Sequence, residues 1–243
     1  MSAPSPPPTI VLNLLGAFGL FVNGRAQRLP ASAQRLVAFL ALQDRPVRRL
    51  FVAGSLWTDA SEDRAAASLR SALWRTQARG PLIDTTGGEL RLTPSVHVDL
   101  HRAEALARRE LERESFTDPD VDIGLLVRDL LPDWYEDWVV LERERFRQRR
   151  LSALDALCER LVRAGHVGRA LDVGLRSLAG DPLRDSAHRA IVRAHLADGN
   201  VSEALRQYRL CKQLLNEQLG VEPSERMEEL VRGLDEAPRA VLR

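Results

Sequence analysis

The segment ALCERLVRAGHVGRAL, which begins at Ala156, returns as AIVRAHLADGNVSEAL at Ala190. Gly165 is matched by Gly199, Ala170 by Ala204 and Leu171 by Leu205, each 34 residues further on. A glycine at the same point of both copies marks a tight turn between two helices. The matched alanine marks a place where those helices pack closely. A repeat of this length commits the second half of the chain to stacked helix pairs, because one pair cannot bury its apolar face alone.

That period is the one tetratricopeptide helix pairs use. Two clear copies are fewer than a free-standing stack needs, so helices between residues 99 and 150 are expected to complete it. The tail QLGVEPSERMEELVRGL adds a turn and a last helix. Asp99 reads as the cap of the amphipathic segment HRAEALARRELER. A polar, acidic stretch around 117–122 separates this from LLPDWYEDWVVLERERFRQRR, where Trp134 and Trp138 read as core and Tyr135 as a neighbour at an interface. The interleaved Glu142, Arg143, Glu144 and Arg145 read as solvated helix pairs.

Residues 9–95 have another texture. Ile10, Leu12 and Leu14 alternate with Val11, Asn13 and Leu15, as in a half-buried strand. Leu20–Val22 leads into Asn23-Gly24, which favours the left-handed turn of a tight hairpin. Three helices are expected next. In SAQRLVAFLALQ, Leu36, Phe39, Leu40 and Gln43 share a face and Ser32 serves as cap. The second covers 48–57, with Leu50, Ala53, Leu56 and Trp57 turned inward. The third is EDRAAASLRSALWRTQARG, residues 62–80. After Gly80-Pro81, LIDTTGGELRLTP reads as a β-hairpin around Gly87-Gly88. A small sheet, three helices and a hairpin form the plan of a winged helix-turn-helix, whose third helix enters the major groove. The expected fold is therefore an α+β N-terminal winged helix-turn-helix followed by an all-α tetratricopeptide-like helical domain.

Charge follows the same division. Residues 1–100 hold 11 Arg against 7 Asp and Glu, leaving +4, and the remainder holds 24 basic against 27 acidic residues. On the third helix, Ala66, Leu69 and Leu73 fall on one side, with Ala65, Ala72 and Thr76 at its edge. Arg64, Ser68, Ser71 and Arg75 fall on the other, extended by Arg79 and flanked by Arg70. Long basic residues alternate there with very small ones, which lets a helix approach a groove closely. Arginine reaches guanine or phosphate, and serine reaches phosphate or a base edge. Arg48 and Arg49 at the start of the second helix, with Thr85, Thr86 and Arg91 on the hairpin, are candidate backbone contacts. Trp74 is expected to pack on a neighbouring element, and Trp57 to lie in the core.

Nothing in the chain reads as catalysis. His97, His101, His166, His188 and His195 form no ligand spacing, and no nucleophile elbow, zincin signature or phosphate loop occurs. No metal and no cofactor is expected. Cys158 and Cys211 match no disulfide framework or metal spacing and read as buried thiols. The leader MSAPSPPPT lacks a basic signal-peptide start, and the apolar run behind it is broken by Asn13, Gly16 and Gly19. A cytoplasmic protein without a membrane span is expected.

The ordered set of segments resembles the Streptomyces antibiotic regulatory protein family in its short form, an OmpR-type winged helix joined to a bacterial transcriptional activator domain. The segments that carry it are LLGAFGLFVNGRAQRLP, VRRLFVAGSLW with RAAASLRSALWR, VHVDLHRAE, LLPDWYEDWVVLERERFRQ and EALRQYRLCKQLLNEQLGVEPSERMEELVRGL. The resemblance implies a leader over 1–9, a winged helix over 10–96, an activator domain over 97–236 and a tail over 237–243. It implies a DNA-binding activator that recognises direct repeats near promoters as side-by-side protomers, a homodimer on DNA, and recruits RNA polymerase and its sigma factor. It places helix 64–79 in the major groove and hairpin 82–92 at the adjacent minor groove. Larger members add an NTPase module, but this sequence shows no glycine-rich phosphate loop and no receiver domain before the winged helix, so neither ATP gating nor phosphorylation of the two-component kind is expected. A DNA-binding repressor and a protein-binding tetratricopeptide adaptor are the competing readings.

Overall fold

The computed structural model describes residues 8–43, 45–113 and 121–234. The expected leader falls almost wholly outside these residues. So do the tail 237–243 and most of the acidic stretch before residue 122. The chain divides into two compact units. The first takes residues up to 103 together with 128–146. The second takes 104–127 and everything from 147 onward. Residues 128–146, which the sequence reading assigns to the helical domain, thus pack with the N-terminal unit.

In the first unit, β1 (Ile10–Asn13), β2 (Gly19–Val22) and β3 (Arg25–Gln27) form an antiparallel meander. Asn23 and Gly24 both take positive φ, 50° and 75°, which is the turn that Asn-Gly favours between twisted strands. A fourth strand, β7 (Val96–Val98), pairs in parallel with β1 and completes the order β3-β2-β1-β7. This strand was not legible in the sequence, since three residues carry too little periodicity.

Three helices follow the meander: α1 (Ala31–Ala41), α2 (Arg49–Leu56) and α3 (Glu62–Gln77). Leu36, Phe39, Leu40, Val52, Ala53, Leu56, Ala65, Leu69, Ala72 and Leu73 form one core, with Trp57 and Trp138 packed against it. A second sheet of order β4-β6-β5 is built from Val47–Arg48, Ile83–Asp84 and Glu89–Leu92. Val47 of β4 pairs with Leu90 of β6, so the short strand before α2 is joined to the hairpin after α3. Two expectations for α1 and α2 fail. Ser32 makes no capping bond, because the helix begins at Ala31 behind Pro30. Leu50 is 66% exposed, since Val52, Ala53 and Leu56 set the buried face of α2.

Arg143 also departs from expectation. It is no solvated ion pair: its Nε donates to the carbonyl of Leu130 at 2.7 Å and its Nη2 to those of Leu131 and Trp134. It thereby satisfies the carbonyls of an irregular turn in which Leu131 is buried at φ 41°. Arg145 and Glu142 do pair on the surface, at 2.7 Å. Trp138 meets the ring of Phe39 edge-on at 5.3 Å, and Trp134 stacks on Phe18.

Helices α4 (Asp99–Glu112) and α5 (Asp137–Arg163) contribute to both units, and α6 (Val167–Gly180), α7 (Asp185–Ala197), α8 (Val201–Leu219) and α9 (Glu225–Val231) belong to the second. Gly165 and Gly199 have φ of 80° and 73°, so each repeat turns through a left-handed glycine. Ala170 and Ala204 are fully buried. At Gly174 a Cβ would come within 2.7 Å of Ile191 Cγ1 and 3.4 Å of Cys158 Sγ, which shows how closely α6 approaches α7 and α5. The Asp155 carboxylate joins three helices by accepting from Ser177, Arg184 and Ser186 at 2.7–2.8 Å. Arg160 and Glu110 form a buried ion pair at 2.6 Å, and Arg160 also donates to the Glu110 carbonyl. Such a pair costs more to break than it contributes to stability, and so fixes the register of α4 on α5.

Candidate nucleic-acid interface

Helix α3 starts behind Ser61 with Glu62 and Asp63 in its first turn, where carboxylates favour the helix dipole. It buries Ala65, Leu69, Ala72, Leu73 and Thr76. Thr76 satisfies its hydroxyl locally by donating to the carbonyl of Leu73 at 2.7 Å. Ala66 is only half-buried, so the helix is rotated slightly from the phase expected of it. That rotation decides what faces outward. Arg64, Arg70, Ser71 and Arg75 are exposed and Ser68 is half-buried. Arg64, Ser68, Ser71 and Arg75 line one flank, and Arg70 stands on the other. The crest between them carries Ala67 and Trp74. Trp74 is 72% exposed and does not pack inward, contrary to expectation.

Arg75 reaches back towards α1, with Nη1 3.4 Å from Ser32 Oγ. The helix ends at Gln77, so Arg79 lies exposed on the turn beyond it. Arg48 and Arg49 are both exposed where β4 passes into α2. Arg48 stands opposite Glu89 in the β4–β6 ladder. The second helix thus begins with two exposed guanidinium groups at its N-terminus, the end whose dipole favours an anion.

The hairpin is organised by a residue the sequence reading passed over. Asp84 accepts from Nε and Nη2 of Arg91 at 3.0 and 2.9 Å through one carboxylate oxygen. Its other oxygen accepts from the backbone N–H and hydroxyl of Thr86 at 3.0 and 2.5 Å. Bonds from Thr86 and Arg91 lower its pKa to about 2. Arg91 and Thr86 are therefore held by Asp84, while Thr85 is half-buried beside them and Gly87 and Gly88 make the tip at positive φ. An Asp two residues before Thr and seven before Arg is an Asx-turn pattern that could have flagged this group.

The histidines serve structure where their bonds are defined. His101 Nε2 lies 2.8 Å from the Ala41 carbonyl. His188 Nε2 lies 2.9 Å from the Pro182 carbonyl, and its Nδ1 lies 2.7 Å from the Gln207 amide. Burial lowers the His188 pKa, so the ring is neutral, donating to the carbonyl and accepting from the amide. Among the described residues no three His, Cys, Asp or Glu side chains converge to hold a metal ion.

Residues 124–234 match the bacterial transcriptional activator domain. The match takes in the helical part of the chain and a little under half of its length. The chain's fold is similar to that of Mycobacterium tuberculosis EmbR, solved in complex with a low-affinity phosphopeptide, with a TM-score of 0.79. The two are 18% identical over 94% of this chain, which spans 65% of the EmbR chain. No curated protein sequence matches the chain. The domain match and the fold support the resemblance to the antibiotic regulatory proteins. Among the chain's described residues, no helix is long and apolar enough to cross a membrane.

Proposed function

We propose that the protein is a transcription regulator, a sequence-specific double-stranded-DNA-binding activator that works in the cytoplasm. Helix α3 enters the major groove and the β5–β6 hairpin lies over the adjacent minor groove. The observation that carries this reading is the outward surface of α3, where Arg64, Arg70 and Arg75 stand among Ala67, Ser68 and Ser71. Long cationic reach beside short side chains suits a groove about 12 Å wide. Arg48 and Arg49 hold phosphates, which sets position rather than sequence. Side-by-side protomers on direct repeats and recruitment of RNA polymerase with its sigma factor complete the proposal. A groove between α6, α7 and α8, lined by Leu171, Leu175, His195, Arg206 and Leu210, supports a protein partner for the helical unit.

Selection of duplexes from a random pool by the full chain tests the reading. Recovery of a repeated motif is expected, and recovery of random sequence at low salt overturns it. Arg64→Ala should then weaken the selected site by about 1–3 kcal/mol if Arg64 reads a base pair. Arg48→Ala should weaken all duplexes alike and reduce the salt dependence by about one phosphate.

A further inference from the structure

All four tryptophans lie in the first unit, and three of them have aromatic or core neighbours there. Trp57 and Trp138 pack against the trihelical core, and Trp134 stacks on Phe18. Trp74 differs, at 72% exposed on the side of α3 opposite Ala65, Leu69, Ala72 and Thr76. Its helical neighbours on that side are Ala67, Arg70, Ser71 and Ala78, each of them exposed. Three of these four are small, so the indole stands in a clearing and projects beyond the backbone on either side. Exposing so large an apolar side chain contributes nothing to folding. Nothing in the fold covers it, so it is free to meet a partner.

We propose that Trp74 is a specificity-determining residue that reads a thymine methyl group in the major groove. The inference rests on the reading of α3 as the groove-entering helix. Of the groups that base pairs display in that groove, the thymine C5-methyl is the apolar one, whereas the rest are hydrogen-bond donors and acceptors. An indole at the crest of the helix meets the groove floor first. Its apolar ring gains there only by covering such a methyl group, since against any other base edge it removes a polar group from water without replacing the bond. Arg64 and Arg70 on the two flanks are placed for guanine or phosphate, so Trp74 adds an A·T preference between them.

The test uses the full chain and the duplex it selects, with each thymine in turn replaced by deoxyuridine, which removes the methyl group and keeps the base pair. The unaltered protein should lose about four-fold in affinity at one or two thymines, the worth of one buried methyl group. Trp74→Ala should bind the parent duplex more weakly and show no response to those same replacements. Trp74→Phe should keep a partial response. Two results overturn the proposal: affinity of the unaltered protein unchanged at every thymine, or Trp74→Ala weakening random and selected duplexes by one common factor. Failure of the DNA reading is separate, because the unaltered protein would then select no duplex at all. The side chain is exposed, so an unchanged melting temperature of Trp74→Ala verifies that the variant is folded.

Discussion

One oxygen of the Asp84 carboxylate accepts two hydrogen bonds from the Arg91 guanidinium, at 3.0 and 2.9 Å. The hairpin's cation is thus already partnered before any phosphate approaches. With its pKa lowered to about 2 from 3.8, Asp84 is charged at every pH near neutrality. A folded-state pKa below the unfolded one means that any stability from this group is present above about pH 4 and is lost as pH falls towards 2. The side-chain carboxyl carbon of Asp84 should titrate in NMR with a midpoint near 2. In Arg91→Ala that midpoint should move up towards the ordinary aspartate value. An unshifted midpoint in the variant would mean that Thr86 alone sets it.

Asp99 ties the start of α4 to the end of the first strand. Its carboxylate accepts from the backbone N–H groups of Leu14, Leu15 and Leu100 at 2.8, 3.1 and 2.8 Å. Burial raises its pKa against the pull of those three donors. Asp99→Ala leaves the N–H groups of Leu14 and Leu15, just beyond β1, without this partner, at about 1–3 kcal/mol each. Urea denaturation should show a loss of that order, and Asp99→Asn a smaller one, because the amide keeps an acceptor oxygen.

Gly174 sits where α6 crosses α5 and α7. A methyl group there would overlap Ile191, and the neighbours must move to admit it. Gly174→Ala should destabilise the protein by about 1–3 kcal/mol, despite the better helix propensity of alanine. Combining it with Ile191→Val should recover part of the loss in thermal denaturation.

Cys158 and Cys211 are fully buried, and burial pushes both thiols up to about 12. The thiolate is the reactive form. Neither cysteine should be alkylated by iodoacetamide at pH 8 in the folded protein, and both should react once urea unfolds it. Mass spectrometry distinguishes the two states.

Much of this architecture is legible in local sequence. The 34-residue spacing of Gly165 and Gly199 places the helix turns, because a left-handed backbone demands glycine wherever it recurs. Asn23-Gly24 marks its hairpin for the same reason. The existence of α3 and its apolar stripe follow from 3.6-residue periodicity alone.

What needed the folded chain was every relation between distant residues. The exact rotation of α3 depends on what α1 and α2 offer it, which is why Ala66 is half-buried and Trp74 outermost rather than packed. Strand β7 exists only because β1 presents a free edge, and Asp99 finds its partners 85 residues back at Leu14. Arg143 looks like any surface arginine until the turn at Leu131 offers it carbonyls. Periodicity reports which side of an element is apolar, since that depends on near neighbours in the chain. Hydrogen bonds and packing partners across the fold depend on positions in space, and those only the tertiary structure decides.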